Sequence, residues 1–176
     1  MKNMTNKPQS SEIDENTYKI DELVWKIKKI DELSIFDLYK ILQVRQEVFV
    51  LEQNCAFVDA DGAKDLRAHH LWAEASNGQI LAYTRLLAAG VAFSEASVGR
   101  VLTHASMRGS GLGVALMHRS LDTLKSMYGA QPVRIGAQLY LKKFYEKFGF
   151  VQASEPYLED DIWHIEMLVS PKEAAI

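Results

Sequence analysis

Six consecutive residues, Arg108-Gly109-Ser110-Gly111-Leu112-Gly113, carry the most specific chemistry in the chain. They lie between a strand-like segment, Ser97–His104, and a helical one, Val114–Tyr128. Glycines there let the backbone turn tightly and expose successive N–H groups, and the first turn of the following helix adds unpaired donors at its positive end. Such a loop suits an anion. It is not a P-loop, which ends in Gly-Lys-Ser/Thr, and counted from Gly109 it lacks the last glycine of a dinucleotide fingerprint, where Val114 stands. A second set of residues has the types that move protons: Glu52, His70, Glu159, His164 and Tyr145. The pair His69-His70 lacks the spacing and the third ligand of a zinc site, so no metal is expected. Cys55 is the single cysteine, which excludes an intrachain disulfide, and no local His–Asp motif makes it a nucleophile.

The elements that must position these residues follow from periodicity and punctuation. Leu23–Ile30 alternates imperfectly as a half-buried strand. Ser34-Ile35-Phe36-Asp37 resembles a capping box and opens a helix expected to run to about Glu47, with Leu38, Ile41, Leu42 and Val48 at helical spacing. Glu52–Arg67 reads as a long polar loop. His70–Ala75 and Gln79–Leu87 form a hairpin across Ser76-Asn77-Gly78. After the glycine loop come the helix Val114–Tyr128, a strand Val133–Ala137, and a helix Leu139–Phe148 ended by Gly149. Two closing strands, about Phe150–Leu158 and Ile162–Leu168, flank an acidic turn. The order β-α-loop-ββ-β-α-β-α-ββ implies a mixed sheet with helices on both faces, an α/β (α+β) arrangement. Arg45, Arg85 and Arg100 stand in apolar surroundings, which points to buried pairing with acids of Glu47–Asp65.

Arg108, Gly111 and Gly113 fill the fixed positions of Q/R-x-x-G-x-G/A, and Phe144-Tyr145-Glu146-Lys147-Phe148-Gly149-Phe150 is very like "FYxKxGF". Both resemble the signatures of the GNAT N-acetyltransferases. Further residues narrow the likeness to ElaA-type GNAT acyltransferases: Arg45–Val50, Glu52-Gln53-Asn54, Asp59-x-Asp61-Gly62, Asp65, His70-Leu71, Tyr83-x-Arg85-Leu86, Gly99-Arg100-Val101 and Glu159-Asp160…His164-Ile-x-Met167. One departure stands at Asp160-Asp161-Ile162-Trp163, where that group has Asp-Gly-Ile-Pro. The resemblance implies a GNAT fold, with a mostly antiparallel central sheet of about six to seven strands. It implies acetyl-CoA as cosubstrate, held by Val101, Leu102, Thr103, Arg108, Gly109, Ser110, Gly111, Leu112, Gly113 and Gln138. It also implies Tyr145 as general acid beside the CoA sulfur, a backbone N–H near Val101 to polarise the thioester carbonyl, and Glu52, His70, Glu159 and His164 on the acceptor side. Any of these four, or a water chain, is left as the base.

Composition agrees with that expectation. The chain has 176 residues, 48% apolar and 24% charged, which is ordinary for one globular domain. Residues 1–18 are polar and read as a flexible tail before a single domain over 19–176. The N-terminus shows no secretory pattern and no apolar run reaches membrane-spanning length, so a cytoplasmic protein is expected, with no membrane partner. The net charge is −3, which does not suit nucleic acid, yet His104–Gly149 holds seven basic and two acidic residues. That local field fits the phosphates of CoA. Val151–Val169 has five acids and no Lys or Arg, which points to a cationic amine as acceptor. The reading is therefore an acetyl-CoA-dependent N-acyltransferase acting on a primary amine of a small molecule by direct attack in a ternary complex. The alternative is a non-catalytic acyl-CoA-binding or sensing module, and the sequence leaves a homodimer open.

Overall fold

Among residues 18–171, which a computed structural model describes, eight strands form one sheet in the order β1-β2-β3-β4-β5-β8-β6, with β7 also paired to β8. The strands are β1 (Val24–Lys29), β2 (His69–Glu74), β3 (Ile80–Leu87), β4 (Ala96–Thr103), β5 (Val133–Gln138), β6 (Val151–Gln152), β7 (Tyr157–Glu159) and β8 (Ile162–Val169). The sheet is mostly antiparallel, with β4 and β5 as its parallel pair. The expected tail lies outside the described residues except for Tyr18. That residue belongs to the folded part, since its hydroxyl donates to Gln79 Oε1 at 3.1 Å and its ring packs on the core. Residues 172–176 also lie outside.

Alternation along the central strands divides the core between two faces. Leu71, Ala73, Leu81 and Leu86 point to one face, where α2 (Leu112–Tyr128) packs Leu112, Leu116, Met117 and Leu124, and the short α3 (Lys142–Glu146) adds Tyr145. Trp72, Ile80, Tyr83 and Leu102 point to the other, under Ile41, Val44 and Val48. Those three come from α1 (Ile35–Arg45) and its continuation. Every residue of β3 is buried because both faces are covered.

The capping box expected at Ser34 is present. Its hydroxyl accepts from Asp37 N at 3.0 Å while Asp37 accepts from Ser34 N. The helix does not stop near Glu47. It runs on as a π-helix over Gln46–Glu52 and so carries the chain farther across the sheet. The three-residue loop Ser76–Gly78 closes the first hairpin, with Gly78 left-handed at φ +81°. Two other expectations need correction. The helix Leu139–Phe148 is a 3-10 turn, Leu139–Leu141, followed by the single α turn and a half of α3. The strand Phe150–Leu158 is two strands, because Pro156 has no N–H to give and Ser154 turns its hydroxyl to Glu166 N at 2.8 Å instead. That split raises the strand number from the expected six or seven to eight.

Candidate functional site

The parallel neighbours β4 and β5 pair only at Ala96–Val133 and Ser97–Arg134, and then diverge. The cause is visible in β4. Tyr83 faces Leu102 and Arg85 faces Gly99, so Arg100 and Val101 together oppose Thr84. Arg100 takes φ +53°, a left-handed conformation inside a strand, and such a bulge bends the strand that carries it. The strain is offset by the side chain, which donates to Asp59 Oδ1 at 2.7 Å and lies over the rings of Phe49 and Phe57. Beyond the bulge, the C-terminal halves of β4 and β5 open into a V.

The glycine loop sits at the mouth of that V, on the β4 side. Gly109 and Gly111 have φ +81° and +94°, and Gly111 is the N-cap of α2 with no side-chain cap. Arg108 N, Ser110 N and Leu112 N are taken up locally by Ala105 O, Met107 O and Ser110 Oγ. The N–H groups of Gly109, Gly111 and Gly113 find no acceptor among the described residues. Three donors and the positive end of a 17-residue helix are thus left facing outward, the requirement for holding a diphosphate. A Cβ at Gly113 would meet Phe144 and Thr103 at 3.7 Å, an ordinary contact distance, so space there does not by itself demand glycine. The residues present fit CoA.

The proton-transfer candidates separate in space. On the β5 side of the V, Gln138 faces His164 of β8, and His164 faces Tyr157 of β7. His164 Nδ1 donates to Ile162 O at 2.8 Å, and its ring stacks on Tyr157 at 5.9 Å between centroids. Tyr157 leans over Gly136, where a Cβ would come within 3.3 Å of its hydroxyl. Burial, then the charges of Glu159 and Glu166, push that phenol above its ordinary value. Glu52 ends the π-helix and forms an ion pair with Arg108, while its neighbour Gln53 accepts from Gln138 Nε2 at 3.0 Å. Cys55 Sγ reaches Asp160 O at 3.6 Å. The chain Arg108–Glu52–Gln53–Gln138–His164 therefore spans the mouth of the V, with exposed Glu159 on the adjoining hairpin.

His70 is not among them. It is 1% exposed, its Nε2 donates to Asp65 O at 3.1 Å, and its Nδ1 accepts from Tyr83 Oη at 2.7 Å. Burial pulls its pKa down more than the Asp65 carbonyl and charge raise it, so the ring stays neutral with both nitrogens engaged. It belongs to a buried network beneath α1. Arg45 binds Asp59 Oδ2 at 2.8 Å and Asp65 Oδ1 at 2.9 Å, and Arg85 binds Asp65 Oδ1 at 2.8 Å. This network fastens the long loop after the π-helix to the sheet, as the apolar settings of the three arginines suggest. Leu102 and Leu112 are core residues, 3% and 0% exposed, so whatever they offer a ligand is backbone.

Tyr145 is 6% exposed, edge-on to Phe144 and Phe150. Burial, with a smaller contribution from Tyr140, holds its phenol well above the usual range. The charged patches are smaller than the sequence suggests. Arg134 is spent on Glu95 (2.7 Å) and Glu166 (2.8 Å), and Arg119 stacks on Trp25 at 4.6 Å. Gln53 and Tyr157 are site residues to which sequence reasoning assigns no role. Gln53 lies inside a quoted motif and could have been found there, whereas Tyr157 has no local signal.

Comparison with known proteins agrees with this geometry. A family model described as "Acetyltransferase (GNAT) domain" matches residues 47–170. Protein ElaA of Escherichia coli is 39% identical over 147 residues, covering 81% of this chain and 94% of that protein. The crystal structure of an acyl-CoA N-acyltransferase from Pseudomonas aeruginosa superposes with a TM-score of 0.79 at 42% identity, over 84% of this chain and 99% of the other. The crystal structure of Escherichia coli ElaA gives 0.78 at 36% identity with the same coverage.

Proposed function

The chain belongs to the GNAT acetyltransferase family and is an acyltransferase that uses a CoA thioester, and on that premise we propose that it moves an acetyl group to a primary amine of a small cationic molecule by direct attack in a ternary complex. The observation that carries the reading is the set of three unpartnered N–H groups, on Gly109, Gly111 and Gly113, at the mouth of the diverging strands. They hold the diphosphate against the N-terminus of α2. Val101, Leu102 and Thr103 lie where β4 keeps β3 on one side but no longer has β5 on the other, so the backbone groups that point to the β5 side are available to an extended pantetheine arm, and an N–H near Val101 polarises the thioester carbonyl.

Among the four base candidates, the arrangement favours His164. The Ile162 carbonyl can only accept, so the proton of the neutral ring resides on Nδ1 and Nε2 keeps a lone pair for the ammonium proton. Tyr145 supplies a proton to the departing thiolate. Its burial keeps the phenol in the protonated form, the one that can donate, at neutral pH. Glu159, Asp160 and Asp161 at the exposed β7–β8 turn attract the cationic acceptor.

The test is thermal unfolding with and without acetyl-CoA, with NAD and ATP as controls. A ligand at about 100 times its dissociation constant stabilises by ~2.7 kcal/mol, which for this size raises the midpoint by roughly 5–10 °C. Acetyl-CoA should produce that rise and the controls should not. In Gly111→Asp the rise should vanish, because φ +94° disfavours a side chain and the carboxylate repels phosphate. No shift with acetyl-CoA at saturation would remove the CoA loop from the reading.

A further inference from the structure

The segment after the π-helix touches both arms of the V. Glu52 reaches Arg108, immediately before the glycine loop, and Gln53 reaches Gln138, at the end of β5. Arg108 is itself only partly committed. Its Nε donates to Thr103 O at 3.3 Å and one Nη to Glu52, while its side chain stays 49% exposed. A guanidinium has five N–H donors, so more than half of its capacity is uncommitted among the described residues, on a side chain that adjoins Gly109 in the chain. Glu52 thus places a negative charge on the one arginine adjoining the diphosphate loop.

We propose that Glu52 and the diphosphate of CoA compete for Arg108, so that seating the cofactor releases the Glu52 carboxylate toward the acceptor. The inference rests on the CoA reading above. A diphosphate carries more charge than a carboxylate and offers several oxygens for a bidentate grip, so it wins the guanidinium once bound. Gln53 keeps its bond to Gln138, which holds the segment in place while the ion pair beside it opens. A carboxylate freed in this way meets an ammonium ion only after CoA is in the cleft. Arg108 is in this sense a positioning residue for Glu52 as well as a phosphate ligand.

The consequence has an unusual sign: removing an acid from the acceptor side tightens the cofactor. CoA binding is measured by titration calorimetry on the wild type, Glu52→Gln, Arg108→Gln and the double variant, with thermal melts confirming that each is folded. Glutamine keeps the shape of Glu52, and it is the other residue permitted at the Arg108 position of the loop motif. Partly exposed ion pairs contribute little, so Glu52→Gln should lower the CoA dissociation constant about two- to fivefold. In the Arg108→Gln background the same change should have no effect. Dephospho-CoA, which retains the diphosphate, should show the same gain as CoA.

Unchanged or weaker binding in Glu52→Gln overturns the competition. So does an equal gain in both backgrounds, which would mean that the carboxylate acts by its field alone. Loss of the gain with dephospho-CoA overturns it too, by placing Arg108 on the 3′-phosphate. A wild type that binds no CoA is a different result, and it removes the cofactor reading itself.

Discussion

The Nδ1 of His164 sits 2.8 Å from a carbonyl, and the ring of Tyr145 packs edge-on against Phe144 and Phe150. These two side chains differ in what their replacement should disturb. His164→Phe keeps a ring to stack on Tyr157 and deletes Nε2. The rate of acyl transfer should fall about 10²–10⁴-fold, the usual contribution of a positioned base, while the melting rise with acetyl-CoA persists. Tyr145→Phe keeps the edge contacts with Phe144 and Phe150 and removes only the hydroxyl. Its melting temperature should match the wild type and its rate should drop. An amine found by screening for thiol release serves for both. A full rate in Tyr145→Phe would move the acid elsewhere, and a full rate in His164→Phe would return the base to Glu52, Glu159 or water.

At the scale of elements, the β7–β8 hairpin offers the cleanest change. Asp160 and Asp161 form a two-residue turn between Glu159 and Ile162, at φ +48° and +61°. Two successive left-handed residues match the turn that the twist of a hairpin prefers, for which Asp-Gly is a favoured pair. An aspartate at the second position bears a steric cost that glycine does not. Asp161→Gly should therefore stabilise by about 0.5–1 kcal/mol, or about 1–4 °C in a differential scan; a lower melting temperature would show that the carboxylate of Asp161 contributes more than the backbone strain costs. Local signals of this kind were legible in advance. Ser34 and Asp37 cap α1, Ser76–Gly78 closes a hairpin, and Gly109 and Gly111 of the 108–113 loop take positive φ at its tight turn. The π-helix was not legible, because seven residues of i→i+5 bonding leave no apolar period distinct from an α-helix. His70 was misplaced for a related reason. Its partners Tyr83 and Asp65 act through the tertiary fold, and nothing next to it in the chain announces a buried ring. Charge counted along the sequence misled in the same way, since Arg134 and Glu166 neutralise each other across β5 and β8.

Across the whole molecule, the titrating groups divide into two sets whose effects on stability have opposite signs. His70 is held down chiefly by burial, so its folded pKa lies below the unfolded value near 6.5. Burial raises Asp65, but the hydrogen bonds and charges of Arg45 and Arg85 outweigh it and hold the carboxyl below its usual range. Hydrogen bonds from Arg134 and Ser94 lower Glu95 to about 2. For each of these the unfolded chain binds the proton more readily, so the stability present above the unfolded pKa is lost as the pH falls. The loss begins below about pH 6.5 through His70 and through His69, which burial and Lys29 also hold down, and steepens through the carboxylates below about pH 4. Tyr83 and Tyr145 run the other way. Burial holds both phenols above their unfolded value near 10, so their contribution is present below that value and lost as the pH rises past it. Melting temperature against pH should thus be a plateau between about pH 7 and 9.5 with a fall on each side. His70→Gln, which cannot take up a proton, should reduce the slope between about pH 7 and 5 to the share that His69, also held down by burial, contributes, and leave the steeper acid limb intact. A wild-type curve already flat from pH 7 to 5, or a variant that keeps the wild-type slope there, would mean that burial of this imidazole is not what couples the network beneath α1 to protons.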